Sequence, residues 1–273
     1  MSRARTVAAI VGLAALVAYL YQPVIASLAA QWSTDTTFGY GFTIPPVAAF
    51  LAWERRHRLH VDPRGTLWGY ALLIVGLLAL VTGRAGGIQL LARISLLPIL
   101  FGLAMFLGGW SLARELAFPI AFLGVMIPPP VEVFYRLTWP LQLFTARFST
   151  EVLRLAGYPV LLQGIYIDLP TVRLEVAAAC SGFRSLVSLG ATALLVAFTF
   201  QTRWVNRALL LASVVPIAIL ANSVRVTSNI LLGIYEGTYH QVAGWLVFVL
   251  SLAVLLMVGT FLNRWNAVPR SLA

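Results

Sequence analysis

The chain has 273 residues, of which 60% are hydrophobic and only 10% are charged, and its mean hydropathy is +0.89. Soluble domains carry about 25% charged residues, so this composition excludes a water-soluble globular protein. The net charge is +10, and the arginines that supply it lie in loops between apolar runs, so they indicate membrane topology rather than nucleic-acid binding.

Apolar runs of nearly 20 residues predict an all-α polytopic membrane protein, and residues 1–273 are expected to form a single integral-membrane domain. The first run is too long for the core of a signal peptide, so we expect it to be a membrane span. The domain is expected to comprise N-terminal spans (1–127), an extracytoplasmic segment (128–182) and C-terminal spans (183–263). The sequence predicts a bundle of about eight spans, at 7–28, 38–53, 66–82, 94–110, 113–127, 183–200, 206–222 and 244–262.

The predicted orientation follows from four short arginine-rich segments. Eight spans with an internal N-terminus place all four on the cytoplasmic side, as the positive-inside rule requires, and both termini are then cytoplasmic. His57 and His60 fall in the second segment and are interpreted as solvated. The segments are "SRAR" (2–5), "ERRHRLHVDPR" (54–64), "QTRWVNR" (201–207) and "NRWNAVPR" (263–270).

The predicted extracytoplasmic segment begins at "IPPP" (127–130), whose prolines end the preceding helix. Residues 131–156 mix charged and apolar residues, which favours an interfacial helix on the membrane surface over a tilted ninth span. Residues 158–176 alternate in polarity and predict a small β-hairpin outside the membrane. The hairpin leads to Cys180, and this single cysteine excludes an internal disulfide and a multi-cysteine metal site.

Three consecutive helix ends are expected to bring Cys180, Arg225 and His240 to one membrane face. The span that follows Cys180 runs inward for about 20 residues, and the next span returns outward over a similar length. Arg225 is therefore expected at the same depth in the membrane as Cys180. His240 lies where the chain enters the membrane again for its last span.

These three residue types support acyl transfer through a thioester. A cysteine is nucleophilic as a thiolate, which a helix N-terminus and cationic neighbours favour, and we expect Cys180 to begin a helix with Arg184 one turn later. A histidine such as His240 can accept the thiol proton and return it to a leaving amine. Arg225 stays protonated, so it is suited to pairing with the thiolate or to stabilising an oxyanion.

Each of these residues also has an ordinary structural interpretation. A lone cysteine is most often a small buried hydrophobe, an arginine near a helix end often reaches back to the interface, and His240 can be a surface loop residue. The convergence of the three on one face favours a functional site. Asn222 beside Arg225, and the Ser-Gly pair that begins with Ser181, strengthen this interpretation.

Three motifs resemble those of the exosortase/archaeosortase family of multi-span membrane transpeptidases, and "IPPP" is similar to the "IP" segment of that family. The resemblance covers about residues 100–262. It implies that Cys180 is the nucleophile, that Arg225 stabilises the carbonyl or the thiolate, and that His240 is the acid and base. Asn222, Arg184 and Ser181 are implied supporting residues. The motifs are "LEVAAACSGFRSL" (174–186), "ANSVRVTSNILLG" (221–233) and "GTYHQVAGWLVF" (237–248).

The resemblance implies a cysteine peptidase or transpeptidase in the bacterial inner (cytoplasmic) membrane, with its active site on the extracytoplasmic side. The implied partners are membrane lipids and exported proteins that carry a C-terminal sorting signal. That signal is a Pro-Glu-Pro motif followed by a transmembrane helix and a basic cluster. Many bacterial members accompany exopolysaccharide gene clusters. The acceptor stays open between an amine, a glycan or lipid, and water, and no cofactor, metal or nucleic acid is expected.

An arginine-rich outer mouth is expected to attract the acidic residue of the sorting signal. The segments 131–156 and 158–176 are the candidate elements through which a helical substrate reaches the site. The arginines of this mouth are Arg147, Arg154, Arg173, Arg184 and Arg225.

Two other classes of function compete with this hypothesis. In a membrane transporter, Arg225 would bind an anionic substrate and Cys180 would only pack, but the inverted repeats that many transporters show are not evident in the sequence. The other alternative is a non-catalytic partner in exopolysaccharide assembly.

Overall fold

The computed structural model describes residues 3–59, 67–234 and 237–267. Its chain is mostly helical and divides into two compact units, residues 1–129 and 130–273. The predicted helical membrane architecture with a small β element is confirmed, whereas the predicted number of eight spans is not. In the described ranges six helical segments are long and apolar enough to cross a membrane: Gly12–Thr34, Leu67–Ala85, Gln89–Met126, Phe183–Phe200, Trp204–Leu231 and Gly237–Arg264.

The helices of the first unit differ from the predicted spans chiefly at α2. This helix has 11 residues, about 17 Å of rise, which is short of the roughly 30 Å hydrocarbon core of a bilayer. A 3-10 turn over Gly39–Thr43 precedes α2 and takes up the rest of the predicted second span. The helices are α1 (Arg3–Thr34), α2 (Ile44–Glu54), α3 (Leu67–Ala85), α4 (Gln89–Ile94) and α5 (Leu96–Leu123).

Helix α5 reverses direction at Gly109, where φ is +67° and ψ is −166°. A Cβ placed on Gly124 would lie 3.4 Å from Leu97 Cδ1, although the two residues are 27 positions apart. A straight helix would separate them by about 40 Å, so the two arms of α5 pack side by side as a hairpin. The arms correspond to the fourth and fifth predicted spans, which hydropathy alone joins into one segment.

Helix α3 approaches α4 and α5 closely through three buried glycines at seven-residue intervals, Gly69, Gly76 and Gly83. A Cβ on Gly83 would lie only 2.6 Å from the Ala92 backbone nitrogen, and similar crowding occurs at Gly76. Small residues allow this approach, as is common between membrane helices.

The second unit is built on three helices that pack together over their length. Its core is apolar and rich in alanine, and it is formed by Leu189, Ala193 and Ala197 of α7, Leu210, Val214 and Ala218 of α8, and Leu255 of α9. The elements are α6 (Val131–Leu155), β1 (Leu161–Gln163), β2 (Tyr166–Asp168), β3 (Arg173–Glu175), α7 (Phe183–Phe200), α8 (Trp204–Leu231) and α9 (Gly237–Ala267).

The strands form an antiparallel sheet in the order β1-β2-β3, within the segment that was predicted to be a hairpin. Gly164, with φ of +64°, lies in the turn between β1 and β2, and Leu162 pairs with Ile167 in the register. The Ile167 side chain is fully buried against α6 and α8 residues. The sheet therefore rests on the helices and leads the chain toward Cys180.

Helix α6 has an unusual distribution of side chains, because its buried face is polar. Its outward face in the N-terminal half is apolar and aromatic, including Tyr135, Trp139 and Phe144. Such a helix suits contact with lipid or the membrane interface better than with water. The predicted helix is present, and its placement on the membrane surface stays a prediction. The buried polar residues are Thr138, Gln142, Thr145, Ser149 and Thr150.

Candidate active site

Cys180 ends a 3-10 turn over Ala178–Cys180, and its half-buried side chain packs against an apolar cluster that includes Val176 and Ile230. The prediction that Cys180 begins a helix is wrong by three residues, because α7 begins at Phe183. The cause is Gly182, whose φ of +87° interrupts the helical path between the thiol and α7.

Ser181 is fully buried, and its hydroxyl accepts a hydrogen bond from the Phe183 backbone N–H at 3.2 Å. This bond satisfies a backbone donor at the start of α7 that has no partner within the helix. The geometry therefore gives Ser181 a role in holding the turn next to Cys180.

Asn222 of α8 fixes the turn that carries the thiol. Its side-chain Nδ2 donates a hydrogen bond of 2.7 Å to the backbone carbonyl of Cys180. A Cβ on Gly182 would lie 2.9 Å from Asn222 Cβ, so the turn lies directly against α8. The Asn222 side chain is 2% exposed, and its Oδ1 has no hydrogen-bond partner among the described residues.

Arg225 lies on α8 one turn after Asn222 and is half-buried. Its charge interacts electrostatically with Cys180 and with the exposed Arg184. A terminal nitrogen, Nη1, lies 3.5 Å from where a Cβ on Gly244 of α9 would be, so the small residue leaves room for the guanidinium. Nε of Arg225 is buried without an acceptor in the described part of the chain.

His240 lies in the first turn of α9, and its Nδ1 is 3.1 Å from Nδ2 of Asn229. Asn229 is 5% exposed and was not among the predicted site residues. A signal for it was available, because Asn222, Arg225 and Asn229 are spaced three and four residues apart and share one face of α8. This face of α8 therefore carries Asn222, which holds the Cys180 turn, and Asn229, which contacts His240.

A seam of hydroxyl and amide groups joins α8 to α6 beside the cysteine turn. Thr227 donates to Ser149 at 3.0 Å, while Thr145 Oγ1 is 3.4 Å from both Asn222 Nδ2 and Ser223 Oγ. The paired positions advance together along both helices, so α6 and α8 run parallel here. The seam fixes the position of Asn222 relative to α6, and therefore also the position of the Cys180 turn that Asn222 holds.

The predicted arginine-rich mouth is partly neutralised. Arg154 forms an exposed ion pair with Glu151 at 2.7 Å, and Arg173 pairs with Asp168 at 3.3 Å. Arg147 and Arg184 are exposed. In the first unit, His57 is exposed as expected for a solvated loop residue, and His60 lies outside the described residues.

The second unit thus gathers a thiol, a guanidinium and an imidazole around the C-terminal part of α8. Nucleophile, cation and proton carrier are the parts that acyl transfer needs. No cluster of three or more His, Cys, Asp or Glu side chains forms in the part of the chain that the structure describes.

The chain belongs to the transmembrane exosortase family, because the model of that family, Transmembrane exosortase (Exosortase_EpsH), matches residues 32–257. Cys180, Arg225 and His240 all lie within the matched range. Neither the curated proteins nor the solved structures contain a significant match to this chain. The predicted family is confirmed, and the match begins earlier than the motifs indicate.

Proposed function

We propose that this transmembrane exosortase is a cysteine transpeptidase or protease that cleaves the C-terminal sorting signal of exported proteins. The proposed signal is a Pro-Glu-Pro motif followed by a transmembrane helix, and the reaction passes through a thioester on Cys180. One observation carries the proposal: α8 holds the turn of Cys180 through Asn222, presents Arg225, and contacts His240 through Asn229.

In the first step His240 accepts the proton of the Cys180 thiol, and the thiolate attacks the scissile carbonyl carbon. The carbonyl oxygen becomes an oxyanion beside Arg225, whose guanidinium stabilises the developing charge. The carbon–nitrogen bond then breaks, and His240 gives its proton to the departing amine. The N-terminal part of the substrate remains as a thioester on Cys180.

In the second step an acceptor carrying an amine or a hydroxyl attacks the thioester carbon and loses its proton to His240. The carbon–sulfur bond breaks, and the Cys180 sulfur takes a proton back as the thiol. Water as acceptor gives hydrolysis by the same route, so the enzyme is a transpeptidase or a protease according to the acceptor that reaches the thioester.

Asn229 is proposed as the positioning residue for His240. Its Nδ2 faces His240 Nδ1, and a half-turn of the amide group places Oδ1 at about the same distance. In that orientation Oδ1 accepts a hydrogen bond from Nδ1–H and leaves Nε2 free to act as the base. This is the role that an asparagine has in a Cys-His-Asn triad.

Substrate recognition is proposed to rest on charge and on the apolar face of α6. Arg184 and Arg147 are exposed cations that can attract the glutamate of the sorting signal. The aromatic side chains on the outward face of α6, such as Trp139 and Phe144, can contact the helix that follows the signal.

The proposed location is the bacterial inner membrane, with both termini cytoplasmic and the site on the extracytoplasmic side, in association with exopolysaccharide export. Cys180 is the only cysteine in the chain and is half-buried, so thiol labelling reports one position. We expect a membrane-impermeant maleimide to label intact cells that express the protein. Labelling that appears only after the membrane is permeabilised would place the thiol on the cytoplasmic side.

The direct test follows a tagged protein ending in Pro-Glu-Pro, an apolar helix and arginines in cells that express the exosortase. We expect Cys180→Ala to abolish processing, a loss of about 10⁴-fold or more, because removal of a nucleophile eliminates the covalent route. Hydroxylamine should release the acyl group trapped on the wild-type enzyme. Processing at the normal rate in the Cys180→Ala strain would leave the transporter and assembly-partner hypotheses instead.

A further inference from the structure

The first unit also contains an arginine within an apolar segment, and this one is buried. Arg93 of α4 is 6% exposed, and among the described residues no carboxylate lies within salt-bridge distance of it. A cation within an apolar helical segment is costly to retain, so its presence suggests a function.

The acceptors around the Arg93 guanidinium are all neutral. Nη1 donates to Gln31 Oε1 at 2.7 Å, and Nη2 donates to Gln89 Oε1 at 3.0 Å and to Ser27 Oγ at 3.5 Å. Of the two N–H groups that are left, one is on Nη1, and the other, on Nε, is buried and faces no acceptor within the described ranges. These bonds hold the guanidinium in place without cancelling its charge.

Arg93 lines a cavity of about 180 Å³ together with Ser27, Gln89 and a second arginine, Arg84. One water needs only about 10–15 Å³ of such space, so the cavity has room for a larger polar group. Its lining residues include two guanidinium groups and no carboxylate.

Arg84 also lines an adjoining apolar cavity of about 420 Å³. The lining of this second cavity is otherwise aliphatic: Leu20, Leu77, Leu80, Val81 and Ala85. A basic polar cavity and an aliphatic cavity therefore meet at one arginine, and both lie entirely within the first unit.

We propose that these two cavities form a binding site for an anionic phospholipid. The phosphate lies between Arg84 and Arg93, and an acyl chain occupies the aliphatic cavity. The planar guanidinium fork matches phosphate oxygens, and basic pockets between membrane helices are suited to lipid head groups. The aliphatic cavity is what selects a lipid over free phosphate.

The test uses the full chain purified in detergent and native mass spectrometry with added dioleoyl phosphatidylglycerol. We expect Arg84→Gln to weaken lipid binding about tenfold, since a charge-assisted hydrogen bond to the phosphate is lost. Arg84 is exposed, so this variant should fold normally. Arg93→Gln should weaken binding at least as much, and its folding is checked by its melting temperature.

Arg114→Gln is the matched control, because Arg114 is an exposed arginine of the same unit that lines neither cavity. Both it and Arg84→Gln lower the net charge by one, and we expect the control to bind within about twofold of wild type. If Arg84→Gln and Arg114→Gln bind the lipid equally well, the proposed site is wrong.

Leu77→Trp tests the contribution of the acyl chain separately from that of the head group. Leu77 is 45% exposed and lines only the aliphatic cavity, so tryptophan there should fill the space of the acyl chain. We expect weaker binding of phosphatidylglycerol, while inorganic phosphate binds both proteins weakly and equally. If inorganic phosphate competes fully with the lipid and Leu77→Trp has no effect, the ligand is a free anion and the lipid assignment is wrong.

Discussion

Arg93 in the first unit and Arg225 in the second are both arginines in apolar helical segments with no acidic partner among the described residues. Arg93 donates to three neutral oxygens, and only its Nε lacks a partner. Arg225 has no side-chain hydrogen bond within the described ranges and lies near a thiol. The two arginines therefore differ in their neighbours, and this difference underlies the two separate proposals made for them.

The two arginines differ in how many of their N–H donors already have an acceptor. A hydrogen bond to a charged group contributes about 1.5–3 kcal/mol, so the three bonds of Arg93 offset much of the cost of its burial. Arg225 lacks that compensation in the resting protein. A thiolate or an oxyanion that forms during the reaction can supply it, which favours the charged species over the neutral one.

The largest expected effect comes from exchanging each arginine for lysine. Arg225→Lys should lower processing of the tagged substrate by about 10²–10³-fold, because an ammonium cannot present the planar fork to an oxyanion. Lipid binding by this variant should equal that of wild type. Arg93→Lys should show weakened lipid binding in native mass spectrometry, since the single nitrogen of an ammonium cannot reach acceptors that are divided between Nη1 and Nη2 of the guanidinium. Near-normal processing by Arg225→Lys would show that the planar guanidinium of Arg225 is not required, and the proposed catalytic role of this arginine would be wrong.

A smaller effect is expected from Gly182→Ala, which tests whether Arg225 requires an accurately placed thiol. An alanine at φ of +87° costs about 1–2 kcal/mol, and its Cβ would lie 2.9 Å from Asn222 Cβ. We expect processing to fall by about 10²-fold, since displacement of a reacting group by 1 Å has that order of effect.

Gly190→Ala on α7 is the control for Gly182→Ala, because no atom lies within 4 Å of the Cβ that it would add. This control should retain processing and gain slightly in thermal stability, as glycine is unfavourable within a helix. Comparable losses in both variants would indicate a general sensitivity of α7 rather than displacement of the thiol.

The smallest effect is expected from Asn229→Ala, which removes the contact to His240 but leaves Arg225 and Cys180 in place. We expect kcat to fall by about tenfold with little change in KM, because the histidine is less often in the productive orientation. Asn206→Ala, near the other end of α8, removes a bond to the Leu262 carbonyl and should lower the melting temperature without lowering kcat. A selective rise in KM for Asn229→Ala would assign Asn229 to substrate binding.

Much of the second unit could be predicted from its sequence, because helix ends follow hydropathy and proline. The predicted span 183–200 coincides with α7, and the predicted span 206–222 begins within two residues of α8 but ends nine residues before it. The two-residue gap between Cys180 and α7 was missed, since a Ser-Gly pair does not by itself specify a left-handed backbone.

The first unit was harder to predict, because hydropathy records length and not direction. The boundary between the predicted spans 94–110 and 113–127 matches the reversal at Gly109, but the second predicted span, 38–53, contains a helix of only 11 residues. Arg93 immediately precedes the predicted span 94–110, and no role was predicted for it. Its proximity to Arg84 depends on how α3, α4 and α1 pack, which residue patterns do not specify.

The hydroxyl seam between α6 and α8 has a further mechanical consequence. Serine and threonine hydroxyls both donate and accept, and each can rotate to a new partner. Ser149 and Thr227 can therefore exchange partners when one helix slides along the other by a short distance, whereas interlocked leucines would have to separate first. Because Asn222 is part of the same seam, such a slide would shift the thiol together with α8. The seam therefore allows α8, Asn222 and the Cys180 turn to move as one unit relative to α6.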